Sequence, residues 1–384
     1  MTTPLPGPDD VNLQPPSAQE SLATARAVAA AVSPEGGLTD TQRVLLEALF
    51  SAMTGHAVAL AQNDVQPDDA AAALGRVLAD RNAAFRTRGL QVMLLGALIL
   101  RPLPAEVAER IEACARELGV DDGMVAVARQ FAEGSLALAA IDFERNGYTA
   151  EWSADQQRSL HVSTELDEPW QVALDPALAG RWAALEDLAP DTLGRKVWEL
   201  YRARGFSFPG APGSAPPLLA QHDWVHVLAD YGTTVECELE VFALIARANN
   251  DMRAFSLLAM VVSLFETGYL ATGAGLFESS PGHLSAGEEM AVRVADAMRR
   301  GALCVDTATD DPSVDFMALD WFSLAPLPLD EVRRRFSLPP KSSAALDAGS
   351  VNAWEAGGIS EYQLAAGRAA AAAARFDYDS FGAS

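Results

Sequence analysis

The stretch QHDWVHVLADYGTTVECELE, residues 221–240, is predicted to form two helices joined by a short turn. On a helix, His222 and His226 lie one turn apart and share a face. Asp223 borders that face because it precedes His226 by three positions. The first helix therefore presents two imidazoles and a carboxylate over about a third of its circumference.

The turn between the two helices determines whether the carboxylate of Glu238 can lie close to the histidines. Gly232 is suited to ending the first helix, and Thr233 or Thr234 to capping the second. Antiparallel packing of the two helices would bring Glu238 opposite the histidines. Two histidines with one or two carboxylates are a donor set typical of divalent metal sites. The alternative is an amphipathic helix whose histidines have no ligand role.

The other polar candidates favour structural roles. His56 is predicted to be a helix-end or core residue, and His161 and His283 to be solvated. The pair Arg299-Arg300 suits the negative end of a helix dipole, with anion binding as the alternative. The sequence contains no GxSxG, P-loop, GxGxxG or cysteine-based zinc pattern.

Outside this stretch, helical periodicity predicts an all-α chain with two helical domains. The N-terminal bundle is assigned to residues 17–150, and a polar, irregular boundary to residues 148–180. The second domain covers residues 165–340, and an Ala- and Gly-rich extension follows at residues 341–384, with one helix at 361–375. Five segments carry the helical signals of the bundle: 17–32, 38–53, 67–80, 104–118 and 121–147.

Composition limits the function. The 384 residues carry a net charge of −24, which repels phosphate backbones and argues against nucleic-acid binding. Three widely spaced cysteines fit a reduced, cytoplasmic protein. Residues 1–16 are predicted to be a disordered tail and not a signal peptide. The apolar segment 89–100 is too short to cross a membrane, and segment 254–277 contains Glu266, so we expect peripheral membrane contact at most.

The spaced motif and its flanks resemble one known family. His222-Asp223-x-x-His226, eleven residues and Glu238 resemble the signature of the Coq-four family of coenzyme Q biosynthesis proteins. Three flanking blocks in family order extend the resemblance over residues 165–340: PDTLGRKVWELYRARGF at 190–206, MRRGALCV at 298–305 and DWFSLAPLPLDEVRRRFSLPP at 320–340.

The resemblance implies an all-helical domain in which the four motif residues bind a divalent metal ion. Zinc is the usual assignment, and iron, manganese or cobalt stay open. It also implies an apolar groove for a polyprenyl chain and oxidative decarboxylation of an aromatic, quinone-precursor-like acid, in which hydroxyl replaces the C1 carboxyl. The expected partners are that substrate, other biosynthetic-complex proteins and a second copy in a homodimer.

Two other functions compete with this one. The first is a non-catalytic scaffold that binds isoprenoid lipid in a quinone or natural-product complex. The second is a metal hydrolase in which Asp223 is the general base.

The chain departs from the family's pattern at several positions. Cys237 stands where the family has a glycine before the motif glutamate, Val197 replaces a tyrosine, and Leu244-Ile245 replace a Phe-Glu pair. The N-terminal bundle has no place in the core family. Its segments 38–53 and 115–134 are similar to the TerB-like helical domains of tellurite resistance.

Overall fold

The computed structural model describes residues 15–61, 65–100, 102–120, 123, 125, 154–163, 174–249, 254–262, 287–309 and 313–384. These residues form α-helices, 3₁₀ turns and loops. None of them belongs to a β-strand, and only an isolated bridge links Thr192 with Pro328. The predicted all-α class is confirmed.

The helices are numbered in chain order. They are α1 Ala18–Val32, α2 Asp40–Thr54, α3 Ala70–Val77, α4 Ala83–Leu98, α5 Ala105–Leu118, α6 Ala154–Ser159, α7 Pro176–Ala183, α8 Leu193–Arg204, α9 Gln221–Leu228, α10 Val235–Ala248, α11 Ala254–Val262, α12 Glu288–Ala302, α13 Trp321–Leu324, α14 Leu329–Arg335, α15 Ser343–Asp347 and α16 Glu361–Ala374.

The chain divides into two compact units, with a boundary after Ala150. Helices α1 to α5 belong to the first unit. Helix α11 and residues 288–296 of α12 also cluster with it, although they follow much of the second unit in sequence. The second unit contains α6 to α10, the rest of α12 and everything from α13 to the C-terminus.

The first unit packs around α1, an alanine-rich helix whose small side chains allow close approach of its neighbours. Fully buried Gln42 on α2 connects α2 with α1 and α4. Its side-chain amide donates to the carbonyls of Val32 and Gly96, at 2.9 and 2.8 Å. One buried amide thus satisfies carbonyls near the ends of α1 and α4 that have no helical partner of their own.

The second unit contains an aromatic core. Trp224 and Trp321 stack with ring centroids 5.9 Å apart, and Trp182 packs 5.2 Å from Trp224. Helix α16 lies against α8 at Gly367, where an added Cβ would fall 2.1 Å from the carbonyl oxygen of Ala203. This contact places the C-terminal extension next to the helix that precedes the candidate site.

Several predicted segments have a definite outcome. The first four helical segments of the bundle correspond to α1, α2, α3 and α5, and the helix at 361–375 to α16. The irregular structure expected at 148–180 was wrong where the chain is described, because that range contains α6 and the start of α7. The boundary between the two units falls within the same range, after Ala150. Of the apolar segment 254–277, α11 is described as helix and the remainder lies outside the described residues.

Two more segments fall outside the description for the most part. They are the tail predicted at residues 1–16, of which only residues 15 and 16 are described, and most of the helix predicted at 121–147. Among the helices that the structure describes, none is both long enough and apolar enough to cross a bilayer.

Candidate metal centre

Helix α9 carries His222, Asp223 and His226, as predicted, but it ends earlier than expected. Its last residue is Leu228, and Asp230 adopts a positive φ of 59°. The prediction that Gly232 ends the helix was therefore wrong. Aspartate tolerates the left-handed conformation, and Arg333 also contacts its carboxylate at 2.6 Å.

Gly232 has a different role, which is close approach to the C-terminal extension. A Cβ on Gly232 would lie 2.7 Å from the carbonyl oxygen of Gly358. That same oxygen accepts from the Thr233 backbone N–H at 2.9 Å and from Arg204 Nη2 at 2.9 Å. The turn between α9 and α10 is thus held from outside by a segment more than a hundred residues away.

Two arginines hold the C-terminal end of α9, where the turn begins. Arg333 donates to the carbonyl of Leu228 at 2.9 Å, and Arg300 donates to that of Ala229 at 2.9 Å. Cations are favourable at a helix C-terminus, where the carbonyls lack helical partners. Arg299 and Arg300 lie in the last turn of their own helix, α12, as predicted, and Arg300 also donates to the end of α9.

Helix α10 begins after Thr234, its N-cap, as predicted, and it brings Glu238 to the histidines. His222 Nε2 lies 3.2 Å from Glu238 Oε2, and His226 Nε2 lies 3.3 Å from Glu238 Oε1. The three residues offer ligand atoms that all lie within 4.8 Å of one another. Asp223 Oδ1 is 3.3 Å from His222 Nε2 and borders the same space.

The ring nitrogens on the far side define the tautomers. His226 Nδ1 lies 2.6 Å from the carbonyl oxygen of Gly232, and His222 Nδ1 contacts the carbonyl oxygen of Leu219. A carbonyl can only accept, so each Nδ1 carries a proton and donates it. In a neutral imidazole each Nε2 then presents a lone pair towards Glu238.

Such an arrangement lacks positive charge. His226 Nε2 is buried and forms no hydrogen bond within the described part of the chain, although Glu238 Oε1 is near. No backbone N–H or hydroxyl among the described residues donates to Glu238 either. Nitrogen and carboxylate lone pairs facing one another repel unless a cation lies between them, so these residues fit a divalent metal ion.

Protonation of a histidine is the other source of positive charge. The pKa shifts of His222 and Glu238 also indicate that the site favours a positive charge. Burial disfavours the His222 imidazolium, but the carboxylates of Asp223 and Glu238 outweigh it and raise the pKa of His222 to about 9. Burial also opposes ionisation of Glu238, yet His226 and His222 hold the pKa of that carboxyl well below its usual value. A bound divalent cation would replace the His222 proton.

Asp223 lies in a different environment from Glu238. Its Oδ2 accepts a hydrogen bond of 2.5 Å from the hydroxyl of Tyr201. Burial raises the pKa of Asp223, although the two histidines pull it down. Burial and the neighbouring Asp223 together raise the pKa of Tyr201 well above its usual value, so the tyrosine stays protonated as the donor.

All four side chains of the site are largely buried, and His226 and Glu238 are less exposed than His222 and Asp223. His226 is fully buried and the side chain of Glu238 is 5% exposed, whereas the side chains of His222 and Asp223 are 9% and 11% exposed. The ring of Phe242 packs 4.9 Å from that of His222. The edge formed by His222 and Asp223 is therefore the more exposed side of the cluster.

Cys237, which stands where the resemblance leads one to expect glycine, is fully buried. Its Sγ accepts from the hydroxyl of Thr234 at 3.4 Å. It does not belong to the cluster of His222, His226 and Glu238.

The remaining histidines are placed as follows. His56 follows Gly55, the C-cap of α2, so its assignment to a helix end is confirmed. His161 was predicted to be solvated, which is wrong. Its side chain is fully buried 3.6 Å from Asp175, because residues 161–163 fold over the start of α7. His283 lies outside the described residues.

Several residues that support the site were not predicted to do so from the sequence, although they lie in the quoted segment 190–206. Tyr201 reaches Asp223 from 22 positions away, and Arg204 reaches Gly358 from 154 positions away. Arg204 is fully buried, and burial lowers its pKa to about 10, so it stays charged near Asp223 and Glu238. Contacts over such separations follow from packing and not from local periodicity.

Comparison of the chain with protein-family models, with curated proteins and with solved structures gave no match.

Proposed function

We propose that this chain binds one divalent metal ion through His222, His226 and Glu238 and uses it in the oxidative decarboxylation and hydroxylation of an aromatic, quinone-precursor-like acid. The observation that carries the metal site is the convergence of two Nε2 lone pairs on one buried carboxylate. The reaction rests on the resemblance to the Coq-four family. A pair of histidines with a carboxylate is also the set that non-haem iron oxygenases use.

The proposed reaction breaks one carbon–carbon bond and forms one carbon–oxygen bond on the aromatic ring. The carboxyl group leaves as CO₂, and one oxygen atom of O₂ becomes the ring hydroxyl. The other oxygen atom leaves as water, which takes two electrons and two protons from an external reductant. When bound, a redox-active metal ion supplies O₂ activation, and zinc would supply Lewis acidity alone.

The protein's own groups have separate tasks. The backbone carbonyls of Leu219 and Gly232 orient the two imidazoles through Nδ1, so each Nε2 would face a bound ion. Asp223 Oδ1 lies at the more exposed edge, where it can bind the ion or accept a proton from a ring hydroxyl or from water. Buried His226 and Glu238 keep bulk water from the inner side of the site.

Metal analysis tests the site. Wild-type protein purified without chelator should contain about one equivalent of a divalent metal, and His226→Ala should contain almost none. His56→Ala is the matched control, because His56 lies at the end of a helix in the first unit and does not belong to the cluster, so the metal content should stay unchanged. Equal metal in wild type and His226→Ala would overturn the proposal.

Turnover tests the reaction. Iron-loaded wild type should release CO₂ from a prenylated 4-hydroxybenzoate only when O₂ and a reductant are present, and ¹⁸O₂ should label the product hydroxyl. Activity with zinc under anaerobic conditions would favour the hydrolase instead.

The burial of the ligands favours one second candidate, a scaffold whose ion is structural. His226 is fully buried and the side chain of Glu238 is 5% exposed, which suits a closed site. In that case the metal would exchange only on unfolding, and isoprenoid lipid would co-purify with the protein in native mass spectrometry. Rapid exchange of bound metal in the folded protein would exclude this candidate.

A further inference from the structure

We propose that Tyr201 is a positioning residue that restricts Asp223 to presenting a single oxygen, Oδ1, towards the metal ion. This inference rests on the proposed metal site and extends it to a residue outside the HDxxH motif. Tyr201 contacts neither His226 nor Glu238 in any described interaction, so its influence would pass through Asp223 alone.

The two oxygens of Asp223 face different partners. Oδ2 accepts the 2.5 Å hydrogen bond from the Tyr201 hydroxyl, whereas Oδ1 lies 3.3 Å from His222 Nε2. A carboxylate is planar, so holding one oxygen also holds the direction of the other. Turning both oxygens towards the ion would break a hydrogen bond to a buried, charged acceptor, which is among the stronger kinds in proteins.

Tyr201 is itself held in place. It lies on α8, is 2% exposed, and its ring packs 5.0 Å from that of Trp182 and 5.5 Å from that of Phe208. The ring of Phe206 meets it edge-on at 5.6 Å. With contacts on several sides the ring cannot swing its hydroxyl away, so the hydrogen bond does not depend on a mobile side chain.

The consequence concerns the number of ligands that the protein supplies. If Asp223 gives at most one oxygen, a coordination position stays available at the edge formed by His222 and Asp223, where a substrate or water molecule would bind. Without the Tyr201 hydroxyl, Oδ2 is free to join Oδ1 on the ion and to fill that position. Tyr201 would thereby keep the ion accessible.

Cobalt binding to the full-length chain tests this idea, because the visible bands of Co²⁺ report the number and arrangement of its ligands. Tyr201→Phe keeps the ring and its packing and removes only the hydroxyl. We expect weaker visible bands, as for a higher coordination number, and a Co²⁺ affinity changed by about 10- to 100-fold in competition with a chromophoric chelator.

Two control variants distinguish an effect of the Tyr201 hydroxyl from an effect of the packing around its ring. Tyr378→Phe removes a hydroxyl that donates to the Ala203 carbonyl in the same unit, and Phe208→Leu removes a ring neighbour of Tyr201 while the hydroxyl stays. Both should bind Co²⁺ with the wild-type spectrum. The same spectral change in Phe208→Leu would assign the effect to packing and overturn the inference.

The outcomes also separate this inference from the proposed function. Wild type that binds Co²⁺ with a spectrum and affinity identical to those of Tyr201→Phe would refute the role of Tyr201 and leave the metal site standing. Wild type that binds no Co²⁺ at all would refute both. Neither readout depends on turnover.

Discussion

Two places in the second unit bring a buried histidine next to a buried carboxylate, and they differ in how the carboxylate is satisfied. At the first, His161 lies 3.6 Å from Asp175, whose oxygens accept from Val162, Ser163 and Leu178. At the second, Glu238 meets two histidine nitrogens and no backbone or hydroxyl donor among the described residues.

The difference teaches which buried carboxylates are free to bind a cation. The lone pairs of Asp175 are already used by four N–H and O–H donors, so Asp175 caps α7 and fastens residues 162–163. Burial raises the pKa of Asp175, but those donors together outweigh it and lower the pKa to about 2. The lone pairs of Glu238, in contrast, accept no such hydrogen bonds from the described residues and are available to a cation. A histidine close to a carboxylate therefore indicates a metal site only where the carboxylate lacks other donors.

The largest predicted effect is on metal affinity, which should depend on Glu238 and not on Asp175. Glu238→Gln keeps the side-chain volume but removes the negative charge between the two Nε2 atoms. We expect its metal affinity to fall by more than about 100-fold, beyond the range usual for residues outside the ligand set. Asp175→Asn is the matched control and should bind metal as the wild type does. Both affinities are measured by chelator competition.

The next effect is on the free energy of unfolding, to which Asp175 should contribute. Each oxygen of Asp175 accepts two hydrogen bonds, and Asp175→Asn replaces one of these oxygens with an NH₂ group that cannot accept. We therefore expect a loss of about 2 kcal/mol in the free energy of unfolding by urea. The folded-state pKa of Asp175 is lowered from 3.8 to about 2. Its contribution should therefore be constant above pH 5 and shrink as the pH falls below about 4. A variant as stable as the wild type at pH 7 would show that Asp175 does not fasten this region.

The smallest effect concerns His161. Burial lowers its pKa from 6.5, against the opposing pull of Asp175, so the folded state holds the imidazole neutral. The unfolded chain then binds the extra proton, and the histidine reduces stability as the pH falls through 6.5. His161→Leu should be within about 1 kcal/mol of wild type at pH 8 and relatively more stable at pH 5. Its metal content should not change. The opposite pH trend in thermal unfolding would contradict a neutral, buried His161.

Local rules predicted a good part of this molecule. The helix type, four helices of the N-terminal bundle and α16 follow from capping residues and helical periodicity, which act over a few positions. The same rules located helix α10 after Thr234. They failed at the end of α9, where Gly232 was the better local candidate and Asp230 adopts the left-handed conformation instead.

The candidate site shows the same limit. The sequence by itself determined that His222 and His226 share a helix face, because a separation of four residues is one turn of any helix. Only the tertiary structure decided that Glu238 lies between their Nε2 atoms, that Tyr201 holds Asp223, and that Asp175 is already satisfied. The physical reason is range: helical periodicity is set by backbone hydrogen bonds between near neighbours, whereas these contacts join segments whose approach depends on the packing of the whole unit.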